Sequence, residues 1–189
     1  MKNTLPILLS SLAICACSSP AVYVDPNKGA GVVSVDAVNV QDFAMAADGM
    51  LQSLYDSPAF TGSKAKDGGA PVLLVGRVRN DTTDNFDVDM LVKKMTVSIT
   101  RSGKARVAKA IGVGPTEDTV AAEARKGAPA LTPDYTLSGK ILESRAKAGS
   151  TRQATYTFQL SLTDVKTGLS VWEEEKAITK QGTKNSVGF

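Results

Sequence analysis

The chain has 189 residues, 22 basic and 19 acidic, with two cysteines and no histidine. That length fits one domain with an appended segment, and a net charge of only +3 argues against nucleic-acid binding, which needs a dense basic face. Without histidine, the two cysteines lack the further ligands of a soft-metal centre and no histidine-activated nucleophile is available.

Both cysteines lie at the end of an apolar run, in ILLSSLAICACSS from Ile7 to Ser19. A disulfide between Cys15 and Cys17 would close a tiny strained ring and staple nothing in the domain that follows. A metal pair would lack further soft or imidazole ligands. Residues 1–16 instead have the layout of an export signal. Lys2 supplies the positive start, Leu5 to Ile14 the apolar segment, and small residues precede the cut. The run falls short of the roughly 20 apolar residues that span a bilayer.

The residues ICAC resemble the lipobox of bacterial lipoproteins, with Ala16 before Cys17 and Ile14 three positions back. Cys15 fits worse, because Ile14 would then stand where the signal peptidase needs a small side chain. The resemblance implies cleavage before Cys17, acylation of its thiol and new amine, and stable anchoring by several chains together. Ser18 and Ser19, rather than Asp, follow the cysteine. In such lipoproteins that implies release to the outer membrane, facing the periplasm.

Residues 17–37 read as a lipidated start and flexible tether. Pro20, Pro26, Gly29 and Gly31 interrupt any helical period. Fully stretched at roughly 3.4 Å per residue, the segment from Ser18 to Asp36 reaches about 65 to 70 Å. A globular domain follows over 38–182, with a short tail at 183–189. Phe43, Ala46, Met50, Leu51 and Leu54 share one face of a predicted helix capped by Asn39 and stopped by Pro58. TGSKAKDGGA follows as an exposed loop. The continuous apolar run VLLVGRV after Pro71 predicts a central strand covered on both faces. NDTTDN is a turn cluster whose Asn and Asp side chains bond nearby backbone.

Asp87 is placed to cap a helix carrying Val88, Leu91, Val92, Met95 and Ile99, and Gly103 to end it. A strand over Lys104 to Ile111 would complete a parallel crossover. GPTEDTVAAEARKG predicts one more helix, from a Thr116 cap to Gly127. The last third reads as three strands joined by RAKAGS and DVKTG turns. In the middle strand Ala154, Tyr156, Phe158, Leu160 and Leu162 alternate with Thr155, Thr157, Gln159, Ser161 and Thr163, one face buried and one wet. The expected fold is α/β: a mixed β-sheet with a C-terminal antiparallel meander and helices packed against it.

Three stretches, VLLVGRVRNDTTDNFDVDMLVKKMTVSITRSGKARV, PDYTLSGKI and YTFQLSLTDVKTGLSVWEEEKAITK, resemble in order the LpoB-type activators of penicillin-binding proteins. The resemblance covers roughly 38–182. It also extends to related folds that share the meander, the TolB amino-terminal domain and a curli-secretion lipoprotein. It implies an outer-membrane lipoprotein that docks on a bifunctional (class A) penicillin-binding protein and stimulates its glycosyltransferase and transpeptidase activities. No cofactor, metal, nucleic acid or small-molecule substrate is implied. The alternative is a non-catalytic lipoprotein of a secretion or envelope-assembly system. The best-studied members carry a long proline-rich linker, whereas the tether here is short and poor in proline.

Candidate partner-binding residues are Arg77, Arg79, Asn80, Thr82, Lys140 and Trp172. For each a structural role competes. Asn80 and Thr82 suit turn chemistry. Arg77, Arg79 and Lys140 suit a solvated strand surface. Trp172 suits a lid on the core, although exposed Trp is favoured at binding hot spots. The Glu173 to Lys176 run EEEK reads as an edge strand kept soluble by charge.

Ser63 to Lys66, Thr83 to Asn85 and Lys166 to Gly168 mimic the S-x-x-K, S-D-N and K-T-G signatures of penicillin-recognising enzymes. Their context fails. The first stands among glycines rather than opening a helix, the second follows within twenty residues, and the third sits in a hairpin turn. The sequence therefore predicts no catalytic residues.

Overall fold

The structure, a computed structural model, describes residues 33–35, 37–62, 65, 68–108, 132–183 and 187–188. Cys17, the Thr116–Gly127 helix and most of the Ser63–Lys66 stretch lie outside the described residues. After a two-residue strand, β1 (Val33–Ser34), comes the long helix α1 (Val40–Asp56). Asn39 caps α1 through a complete capping box: its Oδ1 accepts from the Asp42 amide, while Asp42 Oδ2 accepts from the Asn39 amide, both at 2.9 Å. Pro58 ends α1 as expected, since the residue before proline avoids helical backbone, and Ser57 is extended. The same proline then opens a single-turn helix, α2 (Pro58–Thr61).

Next come β2 (Val72–Asp81), α3 (Asp89–Ser102) and β3 (Arg106–Ala108). β2 and β3 pair in parallel across α3, the predicted crossover. The cap position of α3 is Val88 and not the expected Asp87, which precedes it and turns its Oδ1 to accept from the Asp89 amide at 2.8 Å. At the other end Gly103 takes the left-handed conformation, φ 66°, that favours glycine as a stop. The meander is β4 (Tyr135–Ala148), β5 (Thr151–Asp164) and β6 (Ser170–Thr183), and a final pair of residues forms β7 (Val187–Gly188). Sheet order is β3-β2-β4-β5-β6, with β4 parallel to β2 and antiparallel to β5. β1 and β7 form a separate antiparallel ladder, Val33 opposite Gly188 and Ser34 opposite Val187.

α1 and α3 lie on one face of the five-stranded sheet. Phe43, Met50, Leu51 and Leu54 of α1 join Leu91, Met95 and Ile99 of α3 in one core with Leu73, Leu137, Ile141, Tyr156, Phe158 and Leu162. Burying such side chains stabilises by roughly 1.5–3 kcal/mol each. The alternation expected of β5 is present without exception from Ala154 to Leu162.

Two expectations are corrected. The β2 apolar run is not covered on both faces: Val72, Leu73 and Val78 are buried, but Leu74 and Val75 are half-exposed and Arg77 is exposed. A register shift between Val75 and Val78, opposite Leu137 and Gly139, reorients the strand there. The RAKAGS segment is not a loop either. Hydrogen-bond register continues to Ala148 opposite Thr151, so only Gly149 and Ser150 turn, with Gly149 at φ 58°.

Between the helix layer and the last strand sits a buried ion pair. Lys180 Nζ donates to Asp42 Oδ2 at 2.7 Å and to the Ala37 carbonyl, and lies 5.2 Å from the centre of the Tyr156 ring. Both side chains are under a tenth exposed. Removing one partner strands the other charge in the core. Lys180→Met should therefore lower unfolding free energy by about 3–5 kcal/mol, and adding Asp42→Asn should restore most of it, as read by urea denaturation. Equal loss in the single and double variants would show that the pair is not coupled.

Candidate functional site

The sheet face away from α1 and α3 carries the even residues of β4 and the odd residues of β5 and β6. It is paved with Thr136, Ser138, Ser144, Thr155, Thr157, Ser161 and Thr163, none of them buried. Strand register aligns four longer side chains in one row across this floor. Arg79 stands opposite Lys140, Lys140 opposite Gln159, and Gln159 opposite Glu175. The neighbouring row runs Ser138, Ser161, Glu173. Charge is thus basic on β2 and β4 and acidic on β6.

Local bonds hold this order. Arg79 forks onto Asp81 through Nε and Nη2 at 2.6–2.9 Å, and that hydrogen bonding holds the Asp81 carboxyl below its usual range. Gln159 donates to Glu175 Oε2 at 2.6 Å, and Ser161 to Glu173 Oε1 at 3.3 Å. The rows flank an open groove of about 570 Å³ whose lining includes Arg79, Lys140, Gln159, Glu173 and Glu175. Its floor depends on Gly139. A Cβ there would press into the Gln159 carbonyl oxygen and lie 2.7 Å from Leu160 Cδ2, so β4 and β5 approach closely only because that position lacks a side chain.

The other predicted residues go elsewhere. Arg77 is exposed at the β2 irregularity. Asn80 and Thr82 fold the loop after β2: Asn80 Oδ1 accepts from the Thr82 amide and hydroxyl at 3.0 and 2.8 Å, and Asn80 Nδ2 donates to the Asp84 carbonyl at 2.9 Å. Trp172 is half-buried against α1, its indole donating to Ser53 Oγ at 3.2 Å. Lys166 to Gly168 occupy the β5–β6 turn, where Asp164 Oδ1 accepts from the Lys166 and Thr167 amides and Gly168 has φ 71°.

A polar cluster that the sequence reading missed locks the 82–84 loop to the sheet. Asp84 Oδ2 accepts from the Tyr156 hydroxyl at 2.6 Å and Asp84 Oδ1 from Arg145 at 2.9 Å. Thr83 donates through both amide and hydroxyl to Glu143 Oε2 at 2.9 and 2.6 Å, and Arg145 also pairs with Glu143. Burial opposes ionisation of Glu143, yet the Thr83 and Arg145 bonds hold its carboxyl below the usual range. Burial, then the Asp84 carboxylate, raises the Tyr156 phenol well above an ordinary tyrosine. Phe86 follows in the same loop and packs edge-on to Phe43 at 5.4 Å. Among the described residues every buried side-chain polar atom has a partner, no three His, Cys, Asp or Glu residues gather into a metal-binding group, and no helix is long and apolar enough to cross a membrane.

Fold and site together define an α/β module with one face closed by helices and the other a polar floor crossed by ordered charge. The family model described as peptidoglycan-synthase activator LpoB matches residues 42–178, and the chain belongs to that family. It is a family of envelope lipoproteins that regulate rather than catalyse, and membership supports a general role in activating penicillin-binding proteins. Among solved structures, the chain is similar to the LpoB C-terminal domain from Escherichia coli, at 18% identity and TM-score 0.46 over 72% of this chain and 98% of that one. The corresponding domain from Salmonella enterica gives 16% and 0.45 over the same shares. The NMR structure of E. coli LpoB gives 17% and 0.45, over 94% of this chain and 91% of that one. Among curated protein sequences none matches.

The polar lock has a pH signature. Stability from a depressed carboxyl is present above its unfolded pKa and lost as pH falls through the folded one. Glu143→Gln should cost about 1–3 kcal/mol at pH 7, with the gap to wild type closing below pH 4 in urea titrations. The raised Tyr156 phenol works in the opposite direction, its contribution lost only as pH climbs past the ordinary tyrosine range. The Tyr156 phenol should therefore resist ionisation, followed at 295 nm, until the protein unfolds. Tyr156→Phe should abolish that late step; its persistence would place the protected phenol elsewhere.

Proposed function

We propose that this chain is an outer-membrane lipoprotein that binds a class A penicillin-binding protein and stimulates both its glycosyltransferase and its transpeptidase. The observation carrying this reading is the family match over 42–178, which takes in all but the first two residues of α1, then α2, α3, β2 to β5 and most of β6. The protein acts by binding and not by chemistry. Of the penicillin-enzyme mimics, Lys166 to Gly168 lie in a turn and Thr83 is engaged with Glu143.

Acylation at Cys17 delivers the domain. Residues 1–16 are removed, and the segment from Cys17 up to β1 tethers the domain, since Val33–Ser34 pairs with Val187–Gly188 and Val35 joins the core. Lipid anchoring by several acyl chains concentrates the domain at the membrane surface, where a partner binds it as a tethered rather than a free ligand.

Purified full-length chain in detergent, mixed with a bifunctional synthase from the same organism, should raise glycan polymerisation and cross-linking of lipid-linked precursor. Absence of both binding and stimulation would end the activator reading and favour an envelope-assembly role. In cells, Cys17→Ala should abolish palmitate labelling while Cys15→Ala leaves it intact. Continued labelling of the Cys17 variant would refute that anchor.

A further inference from the structure

We propose that the free edge of β6 is where two copies of this chain join, their β6 strands pairing antiparallel about a twofold axis at Glu175. The proposal goes beyond the activator reading and does not rest on it. β6 is the outermost strand of its sheet, and among the described residues no strand pairs with its far edge. The edge is long, its ladder to β5 running from Ser170 to Thr183. Such an edge is a template for another strand unless its side chains forbid one.

Those side chains forbid most strands and suit a second copy. Glu174 and Lys176 stand two positions apart on the helix side of β6, opposite Leu160 and Phe158 of β5. Among the described residues the Lys176 ammonium has no carboxylate partner, and Glu174 reaches only the amide of its neighbour Glu175, at 3.4 Å. A twofold at Glu175 turns this spacing into a pair. Glu174 comes opposite Lys176 of the second copy, and Lys176 opposite its Glu174. Both sides of the complementarity are written in one sequence. An axis at Glu174 or at Lys176 would set that residue against itself, and parallel pairing in register would set every charge against its like. Charge therefore selects orientation and register together. Trp172 falls opposite Ile178 in the same arrangement.

The backbone agrees with that register. Alternate residues of an antiparallel edge strand turn amide and carbonyl away from their ladder. The Asp164 amide donates to the Leu169 carbonyl across the β5–β6 turn, and the Val165 amide to the Asp134 carbonyl on the β4 side. Even residues of β5 thus face β6, their even partners on β6 face back, and Glu173, Glu175 and Ala177 face outward. Opposed about Glu175, these three and their copies exchange about six backbone hydrogen bonds. Glu175 meets its own copy on the open face, but Gln159 donates to its Oε2 at 2.6 Å and holds each carboxylate toward its own β5. On the helix side, α1 follows β6 through Asp42 to Lys180, Gly49 to Lys176 and Ser53 to Trp172. Gly49 therefore lies nearest the axis, where the lack of a side chain lets α1 approach its copy. Met45, one turn away and 58% exposed, gains cover there.

The test uses the full-length chain in detergent. Residues in a hydrogen-bonded antiparallel pair stand about 5.5 Å apart at Cα, a span that a disulfide bridges. Glu175→Cys should therefore oxidise to a covalent dimer on non-reducing gels, above the background that the wild-type chain gives. Glu173→Cys and Ala177→Cys, each offset from its own copy by about 13 Å along the strand, should cross-link only when the two variants are mixed. In analytical ultracentrifugation Glu174→Lys and Lys176→Glu should each weaken dimerisation by about tenfold. The double variant Glu174→Lys/Lys176→Glu restores opposite charges across the axis and should return to within about threefold of wild type. That rescue separates lost pairing from a damaged fold. A wild-type chain that stays monomeric at about 100 μM, or a double variant no better than the singles, would overturn the proposal and leave the activator reading standing. So would cross-linking of Glu173→Cys alone, which would place the axis elsewhere.

Discussion

Lys180 belongs to the last strand, yet its ammonium is held by the carboxylate of Asp42 and the carbonyl of Ala37, near the opposite end of the domain's sequence. Taking two charges from water costs several kcal/mol per ion, and only good geometry with further hydrogen bonds offsets it. The geometry here is shared: the Asp42 oxygen that receives Lys180 also accepts the Asn39 amide and so completes the cap of α1. One atom thus starts the helix and ties it to β6. With that end fixed, Phe43 stacks edge-on to Phe158 and Phe86, and at the far end Trp172 reaches Ser53. The loop after β2 then falls where Asp84 meets Tyr156.

That anchoring explains why the two faces differ. A helix layer pinned to β6 and β2 closes one side of the sheet and absorbs nearly all the large apolar side chains. The other side has no comparable apolar supply, because β5 turns threonine, glutamine and serine outward and β6 turns Glu173, Glu175, Ala177 and Thr179 outward. Rigid backbone pairing beneath a polar surface gives fixed charge positions at little entropic cost, which is the condition for recognising an ordered pattern rather than a net charge.

Local chemistry was legible in the sequence and distant chemistry was not. The Asn39 cap, the stop at Gly103, the alternation of β5 and the turn roles of Asn80 and Thr82 all depend on residues within four or five positions of one another. The β2 run was misread because five apolar letters in seven do not reveal how many layers cover a strand, and RAKA was misread because a strand can be wholly exposed when its partner continues. The pairings Lys180 to Asp42 and Asp84 to Tyr156 span 138 and 72 positions, with no period or spacing to announce them. The row from Arg79 to Glu175 needed the sheet order. That β2 lies beside β4 follows from no adjacency in the chain, and only this neighbour relation brings the basic end of the row together.

The ladder between Val33–Ser34 and Val187–Gly188 has the form of a fork: both strands join the body at the Ser34–Val187 end and stop at the Val33–Gly188 end. A pull from the amino-terminal side therefore loads this ladder by peeling, one pair at a time, and not in shear along its length. Two pairs opened in succession give way under far less force than the same bonds strained together. Opening the ladder frees Val33 and Ser34 from their partners before strain concentrates at Ala37, whose carbonyl the buried lysine holds.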